Sequence, residues 1–275
     1  MIRFYLLLLL FIPLSCVSSF ANEGTVSSYE GRHFLVGFLD NEIDLYSPPY
    51  QTIYISSKYN TEVTITEPRI GATYTLVLRK DTIIEIDVDQ DYEHKNPEVI
   101  HGNKLIEISS KHPISCVAKS SMYLSSEKFS IIPTRNWGKE HYAISMPNDY
   151  YLEALDQNPN IIEAQKTSRL GEFLVLANEN YTNVEITVAA ATFRGAIKDS
   201  TIKVRLNKGE SYLIKSKYSH GVNGVHDLSG SRIVSDKPVG LVSGHMRTSI
   251  QQQTVDNIID TKDHIVEMLP PTNTW

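Results

Sequence analysis

Cysteine is scarce in this sequence, which contains two cysteines among 275 residues, Cys16 and Cys116. Two residues cannot form the disulfide framework of a small secreted scaffold or a paired C-x-x-C zinc motif. Cys116 lies in the apolar run ISCVA, where strand alternation places it on the same face as Ile114 and Ala118. We predict a buried free thiol at Cys116. The alternatives are an intermolecular disulfide and a partner cysteine outside this sequence.

Positive charge is also in deficit, because 26 Lys and Arg residues stand against 32 Asp and Glu residues. Since no Lys/Arg stripe is available to neutralise phosphates, we expect no nucleic-acid partner and no binding to an anionic membrane surface. Beyond residue 21, no stretch reaches the roughly 18 consecutive apolar residues that a spanning helix needs. We therefore predict no membrane span in the mature chain.

The one long apolar run lies at the amino terminus. Residues 1–21 combine a single cation at Arg3, an apolar run from Leu6 to Ile12, and the small-x-small ending Ser19-Phe-Ala21. This pattern is typical of a secretory signal peptide with cleavage after Ala21. An uncleaved anchor and a lipid-modified Cys16 are the alternatives. We predict a secreted, extracellular protein, with attachment at the cell surface as a second option.

Motifs that gather catalytic groups or metals are missing from the sequence as well. The nine histidines are scattered without H-x-H or H-E-x-x-H spacing, and no glycine-rich phosphate loop follows a predicted strand. Ser243 has the wrong spacing for a nucleophile elbow and falls in a predicted strand. We predict no catalytic residue, no cofactor and no enzyme activity. A hydrolase would require a convergence of Ser, His and an acid that the spacing does not predict.

One acidic group deserves comparison with a calcium loop. It consists of Asp87, Asp89, Asp91 and Glu98, which are spaced like the first three and the twelfth positions of such a loop. Tyr92 occupies the position where the loop needs glycine, and Pro97 stiffens its end. We therefore treat calcium as a weak candidate, and a solvated acidic strand end is the simpler interpretation.

The sequence is rich in segments that are typical of β-strands. Runs of four to eight β-branched and aromatic residues recur between Asn, Asp, Gly and Pro, for example QTIYIS, EVTITE, YTLVLR and TIIEIDV. This pattern predicts an all-β fold. The exception is the segment from Tyr150 to Arg169, which we interpret either as a short helix or as a surface loop, since Pro159 argues against a long helix.

The strand series is repeated within the chain. Residues 74–86 match residues 202–214, residues 53–65 match residues 174–186 without a gap, and IEISSKHPISCVA matches SRIVSDKPVGLVS. Three blocks in one order indicate tandem units. Two similar segments, FSIIPTRNW at 129–137 and VEMLPPTNTW at 266–275, read as the openings of a second and a third unit.

We accordingly predict a first β repeat at 22–125, a second at 126–258 and the start of a truncated third at 259–275. Each unit has about seven strands in roughly 100 to 125 residues, which is typical of a β-sandwich. Two tandem β-sandwich-like repeats are the predicted fold. A β-propeller-like array of short antiparallel sheets is the alternative.

Two surface signals bear on function. Asn180-Tyr-Thr182 is an N-glycosylation sequon in a predicted turn, so Asn180 is a candidate glycan acceptor if the source is eukaryotic. Tyrosine is plentiful, with 15 residues. Tyr offers contact area at little cost in entropy, which suits recognition of proteins or glycans, although most tyrosines are expected to fill strands.

These residues carry a resemblance to a known family. The runs NTEVTI, LANENYTNVEIT, DLSGSRIVSDKPVGLVSGH and DHIVEMLPPTNTW resemble the IgGFc-binding protein N-terminal domain across residues 22–275. The resemblance implies an extracellular, non-enzymatic binding module, as in large secreted mucus glycoproteins of animals and in bacterial surface proteins. It also implies immunoglobulin Fc as a ligand of some members, and it identifies no contact residues.

From these observations we predict a secreted module that binds a protein or glycan partner, such as immunoglobulin Fc or mucins. The alternative is a spacer or adhesin segment of a longer mucus or cell-surface protein with no ligand of its own. Clustered exposed Tyr or Trp would favour binding, whereas evenly polar surfaces would favour a spacer.

Overall fold

The structure is a computed structural model, and it describes residues 29–41, 50–122, 125–150, 168–218, 224–250 and 262–274. The predicted signal peptide, Cys16 and nearly all of the segment from Tyr150 to Arg169 lie outside these residues. The described residues form strands and three short 3-10 helices, at Gln90–Tyr92, Thr134–Asn136 and Thr272–Thr274. The all-β prediction is confirmed.

Seven strands form the first sheet: β1 (Glu30–Val36), β2 (Tyr50–Ser56), β3 (Thr61–Glu67), β4 (Ala72–Leu78), β5 (Ile83–Val88), β7 (Ile106–Met122) and β8 (Ser125–Ser130). Their order is β4-β3-β7-β2-β5, and β1 and β8 also pair with β7. Strand β6 (Ile100–His101) follows β5 in the chain but pairs with the second sheet. All the pairings within this sheet are antiparallel.

The second sheet repeats this arrangement with β9 (Gly138–Tyr142), β12 (Gly171–Ala177), β13 (Thr182–Thr187), β14 (Thr201–Leu206), β15 (Ser211–Lys215), β16 (Arg232–Thr248) and β17 (Asp263–Leu269). The order is β14-β13-β16-β12-β15-β6, and β9 and β17 pair with β16. A separate two-stranded ladder joins β10 (Asp149–Tyr150) to β11 (Ser168–Arg169). Because each sheet surrounds one central strand, the fold does not consist of four-stranded propeller blades.

The two central strands, β7 and β16, each span 17 residues and change partners halfway. The first half of β7 pairs with β3 and its second half with β2, and β16 pairs with β13 and β12 in the same way. Pro113 and Pro238, which cannot donate to the ladder, mark the two changes. Three residues earlier, Ser110 and Ser235 each donate to the carbonyl two residues further on, at 2.7 and 2.6 Å. Each sheet therefore folds over at an equivalent point into two layers.

Apolar side chains fill the space between the layers of each sheet. The first core includes Ile53, Ile55, Val63, Ile65, Ile108 and Cys116. The second core includes Phe173, Val175, Val184, Ile186, Ile233 and Leu241. These residues alternate with outward-facing positions, which is why the sequence shows the period of two that strands with one buried face require.

Strand β12 departs from this alternation because it is buried on both faces. Phe173 and Val175 belong to the second core, whereas Leu174 and Leu176 join the first core. Its continuous apolar run FLVLA follows from this double burial. The first core also takes up Leu213, Val242, Val266 and Met268 from the second sheet. At this contact Gly37 lies beside Leu105 and Leu174, and the Ile132 amide donates to the Met268 sulfur at 3.2 Å. The first core is thus shared by the two sheets, whereas the second core belongs to the second sheet alone.

The structure corrects one detail of the predicted repeat. Ile55 lies opposite Cys116 in its ladder, and Val175 lies opposite Leu241, the counterpart of Cys116. Ile55 therefore corresponds to Val175, so the ungapped match of residues 53–65 with 174–186 is wrong by one residue in its first half. The extra residue is Tyr181, which adopts a positive φ of 59° in the turn before β13.

The two segments predicted to open new units each begin with a strand that still belongs to the preceding sheet. Residue Phe129 lies in β8, which pairs with β7, and Val266 lies in β17, which pairs with β16. Each strand then leads through proline into a 3-10 helix. Gly31 abuts Pro133 and Gly138 abuts Pro271 so closely that a Cβ on either glycine would clash with the ring. The division into separate domains at 125/126 and 258/259 stays a prediction.

Candidate functional site

Cys116 lies on β7 with its side chain in the first core, and it is 2% exposed. Burial raises the pKa of its thiol. A thiol that is neutral and shielded from solvent is a poor nucleophile. The position fits the predicted packing role.

The calcium candidates have partners other than a shared ion. Asp89 accepts a hydrogen bond from the Asp91 amide at 2.7 Å, and the Asp91 carboxylate pairs with Arg69. Glu98 accepts from the Arg194 amide at 2.9 Å, while Asp87 is exposed on β5. Within the described residues, no three His, Cys, Asp or Glu side chains form a group that could hold a metal ion.

Asn180 is exposed in the turn between β12 and β13, as a glycan acceptor must be. Its side-chain oxygen accepts from the Lys208 amide at 3.1 Å. The sequon threonine, Thr182, is fully buried and donates to the Glu179 carbonyl at 2.8 Å. Glycosylation of Asn180 stays a prediction.

The described part of the chain has no helix long and apolar enough to cross a membrane. Ser243 lies within β16, and its hydroxyl donates to the Ile144 carbonyl at 2.7 Å. That contact is a structural one between strand and loop.

Two of the 15 tyrosines, Tyr50 and Tyr54, share one sheet face. It is the outer face of β5, β2, the second half of β7 and β8, which we call the open face and define by Tyr50, Tyr54, Ile83, Glu85, Lys119 and Lys128. These side chains point the same way because Tyr54 lies opposite Glu85, and Lys119 lies opposite Lys128, in their antiparallel ladders. Tyr50 is 52% exposed and Ile83 is 69% exposed.

Cations lie over both tyrosine rings of the open face. The Lys119 ammonium is 5.3 Å from the centroid of the Tyr50 ring, and the Lys128 ammonium is 5.1 Å from that of Tyr54. The Tyr54 hydroxyl donates to Glu85 at 3.2 Å. Ser121 and Lys119 hold the pKa of the Tyr50 hydroxyl below its usual range. The face therefore presents aromatic surface beside charges of both signs.

The corresponding face of the second sheet is apolar and covered. The ladders match Tyr54 to Leu174, Glu85 to Leu213 and Ser130 to Met268, and these second-sheet residues are buried in the shared core. One sheet thus uses this face for contact with its neighbour. In the first sheet the same face carries the exposed Tyr50, Ile83 and Glu85 beside the half-buried Tyr54 and Lys119.

A groove of about 310 Å³ continues the open face at its Ile83 end. It is lined by residues 56–59, 81–83 and 113–115 together with Glu30. Tyr59 at its edge stacks on His112, with ring centroids 5.4 Å apart. The volume lies at the lower end of the range for small-ligand pockets.

Sequence reasoning missed a buried ionic cluster where the two sheets meet. The Lys215 ammonium is 2.5 Å from Asp40 and 3.5 Å from Glu172, and all three side chains are nearly inaccessible. Burial alone would lower the pKa of Lys215, but the two carboxylates raise it. Burial raises the pKa of Glu172 well above its usual value, against the effect of Lys215. The sequence feature that could have revealed the cluster is a charged residue within each of two apolar strands, Glu172 in GEFLVLA and Lys215 in SYLIK.

Glu93 and His94 extend this contact. Gln51 donates to the Glu93 carboxylate at 2.7 Å, and burial raises the pKa of Glu93 to about 8. The His94 ring is hydrogen-bonded to the Phe38 carbonyl at 2.9 Å and to the Ser211 hydroxyl at 2.7 Å. The bond to Ser211, which lies on β15, connects this segment to the second sheet.

Comparison with known proteins gives two findings. A family model described as "IgGFc binding protein" matches residues 127–275. The human protein named IgGFc-binding protein is 23% identical over 249 residues, which cover 89% of this chain and 4% of the human protein. The chain therefore spans a small fraction of the length of that relative.

Proposed function

The chain belongs to the IgGFc-binding protein family, and from this premise we propose that it is a secreted binding module that takes a protein or glycoprotein partner on the open face. Among partners, the Fc region of immunoglobulin G is the first to test, because the family description and the human relative's name both point to it. Mucin glycoproteins are the second.

One observation carries the proposal, namely the difference between equivalent faces of the two sheets. Where the second sheet has Leu174 and Leu213 buried, the first sheet has a half-buried Tyr54 and an exposed Glu85. Burial in the first core explains why this face of the second sheet is apolar. Burial does not account for Tyr50 and Ile83 on the first sheet, because both are exposed. An exposed Tyr50 and a half-buried Tyr54 on one face favour recognition over a purely spacing role.

The chemistry of the open face suits a protein or glycoprotein surface. Tyr50 and Tyr54 offer rigid aromatic area, while Lys119 and Lys128 supply donors beside the rings. Glu85 provides an acceptor next to the Tyr54 hydroxyl. A partner with apolar and acidic groups would contact all of these side chains.

Absence of enzyme activity is part of the proposal. The support is that Ser243 and Cys116 are both engaged in structural roles. In the groove beside the open face, the Ser57 hydroxyl donates to the Pro113 carbonyl at 2.7 Å and Lys58 pairs with Glu30 at 2.7 Å.

Secretion is tested by expressing the full chain with its own leader in a secreting host. We expect the protein in the medium, with a mature amino terminus at Asn22. Retention in the cells, or an intact Met1 on protein from the medium, would contradict the signal-peptide prediction.

The purified secreted protein is then titrated against immobilised human IgG Fc and against mucin glycoproteins. The test variants are Tyr50→Ala and Tyr54→Ala. Each removes an aromatic ring from the open face, so we expect affinity to fall about ten-fold or more in each. Unchanged melting temperatures would show that the loss is not due to unfolding.

Tyr181→Ala is the matched control. Tyr181 is 62% exposed and lies 4.6 Å from the Arg205 guanidinium, so it has the same chemistry as Tyr50 but lies in a turn of the second sheet. We expect full binding in this control. The open face would not be the binding site if Tyr50→Ala and Tyr54→Ala bound as tightly as the control Tyr181→Ala. The absence of saturable binding by the folded protein would likewise favour the spacer role.

A further inference from the structure

A second cavity, also of about 310 Å³, shares only Pro113 with the groove beside the open face. Its other lining residues are Arg32, His33, Thr134 and Arg135. They come from β1 and from the 3-10 helix that follows β8, which are about 100 positions apart in the chain. Two of the five residues are arginines, and this pocket is set apart by its positive charge.

Local packing holds the walls of the pocket in place. Because Gly31 has no Cβ, the Pro133 ring packs directly on β1 and brings the 3-10 helix beside it. The Thr134 hydroxyl donates to the His33 carbonyl at 3.3 Å, and the His33 ring is hydrogen-bonded to the same hydroxyl at 2.9 Å. The other ring nitrogen of His33 lies 2.6 Å from Glu107. The pocket is therefore preformed by contacts within the first sheet.

The arginine charges are not neutralised by neighbouring acids. Arg32 is exposed and has no ion-pair partner in the part of the chain that the structure describes. Arg135 donates to the backbone carbonyl of Glu30 at 2.8 Å, which leaves its charge without a carboxylate. The nearby carboxylate of Glu107 is already shared by His33 and Lys208, at 2.6 and 2.9 Å.

The second sheet supplies a natural comparison for this pocket. The same backbone frame recurs there, since the Thr272 hydroxyl donates to the Glu140 carbonyl at 3.4 Å. In that frame Glu140 replaces His33 and Asn273 replaces Arg135, and Glu140 pairs with Arg232 at 2.7 Å. The frame thus belongs to both sheets, whereas the two arginines belong to the first sheet alone. The arginines are not required to build the frame.

We propose that the Arg32–Arg135 pocket binds an acidic monosaccharide unit, through a carboxylate or sulfate group on the sugar ring. Guanidinium groups recognise such planar or tetrahedral anions with paired hydrogen bonds. The Pro113 ring and the Thr134 hydroxyl supply the apolar and polar contacts that a sugar ring needs. The volume admits one sugar residue and is too small for a folded partner. This site is independent of the open face and goes beyond the function proposed above.

The test measures binding of the secreted full-length protein to immobilised saccharides. The probes are a glycan ending in N-acetylneuraminic acid, a 6-sulfated galactose and neutral galactose. We expect saturable binding of one or both acidic probes, weakened by added sodium chloride, and no binding of the neutral sugar. Equal binding of neutral and acidic sugars, or binding of neither acidic probe, would overturn the proposal.

Variants assign the binding to this pocket. Arg32→Ala and Arg135→Asn, the second of which copies the second sheet, should each weaken acidic-sugar binding about ten-fold or more. Arg32→Lys should weaken it less, because the charge remains while the forked geometry is lost. Lys139→Ala removes the counterpart of Arg32 in the second sheet and should have no effect. Similar losses in the control, or none in the arginine variants, would refute the assignment.

Two competitors separate a sugar site from a generic anion site. Inorganic sulfate and a glutamate-rich peptide are added at the concentration that the saccharide requires. We expect neither to displace the saccharide at that concentration. Displacement by either would show that the sugar ring is not recognised. Because Tyr50→Ala should leave this binding unchanged, failure here and failure of the open-face proposal are distinguishable.

Discussion

Glu93 is a carboxylic acid held away from water, and its ionisation couples folding to pH. Burial raises its pKa from the ordinary 4.5 to about 8, with Asp40 adding to the effect. The folded state therefore keeps a proton that the unfolded chain has lost. Stability from this group is complete below pH 4.5, falls between pH 4.5 and 8, and is lost above pH 8. Within that window the slope is about 1.4 kcal/mol per pH unit.

The variant Glu93→Gln mimics the protonated carboxyl and cannot ionise. We expect the variant to match the natural protein near pH 4.5 and to exceed its stability increasingly up to pH 8, by a few kcal/mol. Urea unfolding at half-unit pH intervals measures this difference. The buried rings of His94, His245 and His264 act in the opposite sense, because burial lowers their pKa values to about 3, 3 and 4.

The natural protein and Glu93→Gln contain the same buried histidines, so the contribution of these rings cancels when the two stabilities are compared. The exposed Glu85 provides the control, because Glu85→Gln makes the same chemical change at a position that is not buried. A pH-independent difference between Glu93→Gln and the natural protein would contradict the raised pKa of Glu93.

Cys116 allows a second test at the level of a single side chain. Since the thiol is buried and its pKa is raised, we expect very slow labelling of the native protein by a thiol reagent at pH 8 and fast labelling in denaturant. Release of the coloured leaving group measures both rates. Equal rates with and without denaturant would show that the first core is open to solvent.

At the scale of elements, the strands and their alternation could be predicted because each is written in a short stretch of sequence. The alternation of Ile114, Cys116 and Ala118 gave the correct buried face of β7. The shift caused by Tyr181 could not be seen, since a one-residue insertion in a turn leaves both apolar runs intact while exchanging the faces of one.

The candidate sites were less predictable because they depend on contacts between distant parts of the chain. The abundance of tyrosine was visible in the sequence. Which sheet face remains exposed, however, depends on how the two sheets pack against each other. Arg32 and Arg135 meet only when the 3-10 helix after β8 packs on β1. Asp40 and Lys215 pair across 175 positions. Local patterns do not encode such pairings.

The contact between β1 and the 3-10 helix gives a prediction for an element. A Cβ at position 31 would clash with the Pro133 ring, so Gly31→Ala must separate the helix from β1. We expect a loss of about 2 kcal/mol in the free energy of unfolding. The acidic-sugar binding proposed for the Arg32–Arg135 pocket should weaken in the same variant. Thermal and urea unfolding measure the loss of stability.

Gly102→Ala is the matched control, because a Cβ there has nothing within 4 Å and the backbone is not left-handed. It should leave stability nearly unchanged. If Gly31→Ala were as stable as Gly102→Ala, the close packing of Pro133 on β1 would be wrong.

At the scale of the whole molecule, the shared core and the ionic cluster make the two sheets depend on each other. Lys215 lies on the second sheet, while Asp40 comes from the chain that follows β1 of the first. Lys215→Met would leave Asp40 and Glu172 buried without their cation. Breaking a buried pair in this way costs about 3 to 5 kcal/mol, because the remaining charge is uncompensated.

Because Leu174, Leu176 and Met268 pack in the first core, we expect both sheets to lose stability together in Lys215→Met. Urea unfolding followed by far-UV and near-UV circular dichroism should show one coincident transition at a lower midpoint. Adding Asp40→Asn should restore part of the loss by removing one buried charge. The control Lys203→Met breaks the exposed pair with Glu185 and should change little, since exposed ion pairs contribute little. Two separate transitions in the natural protein would mean that the sheets unfold independently and that the cluster does not couple them.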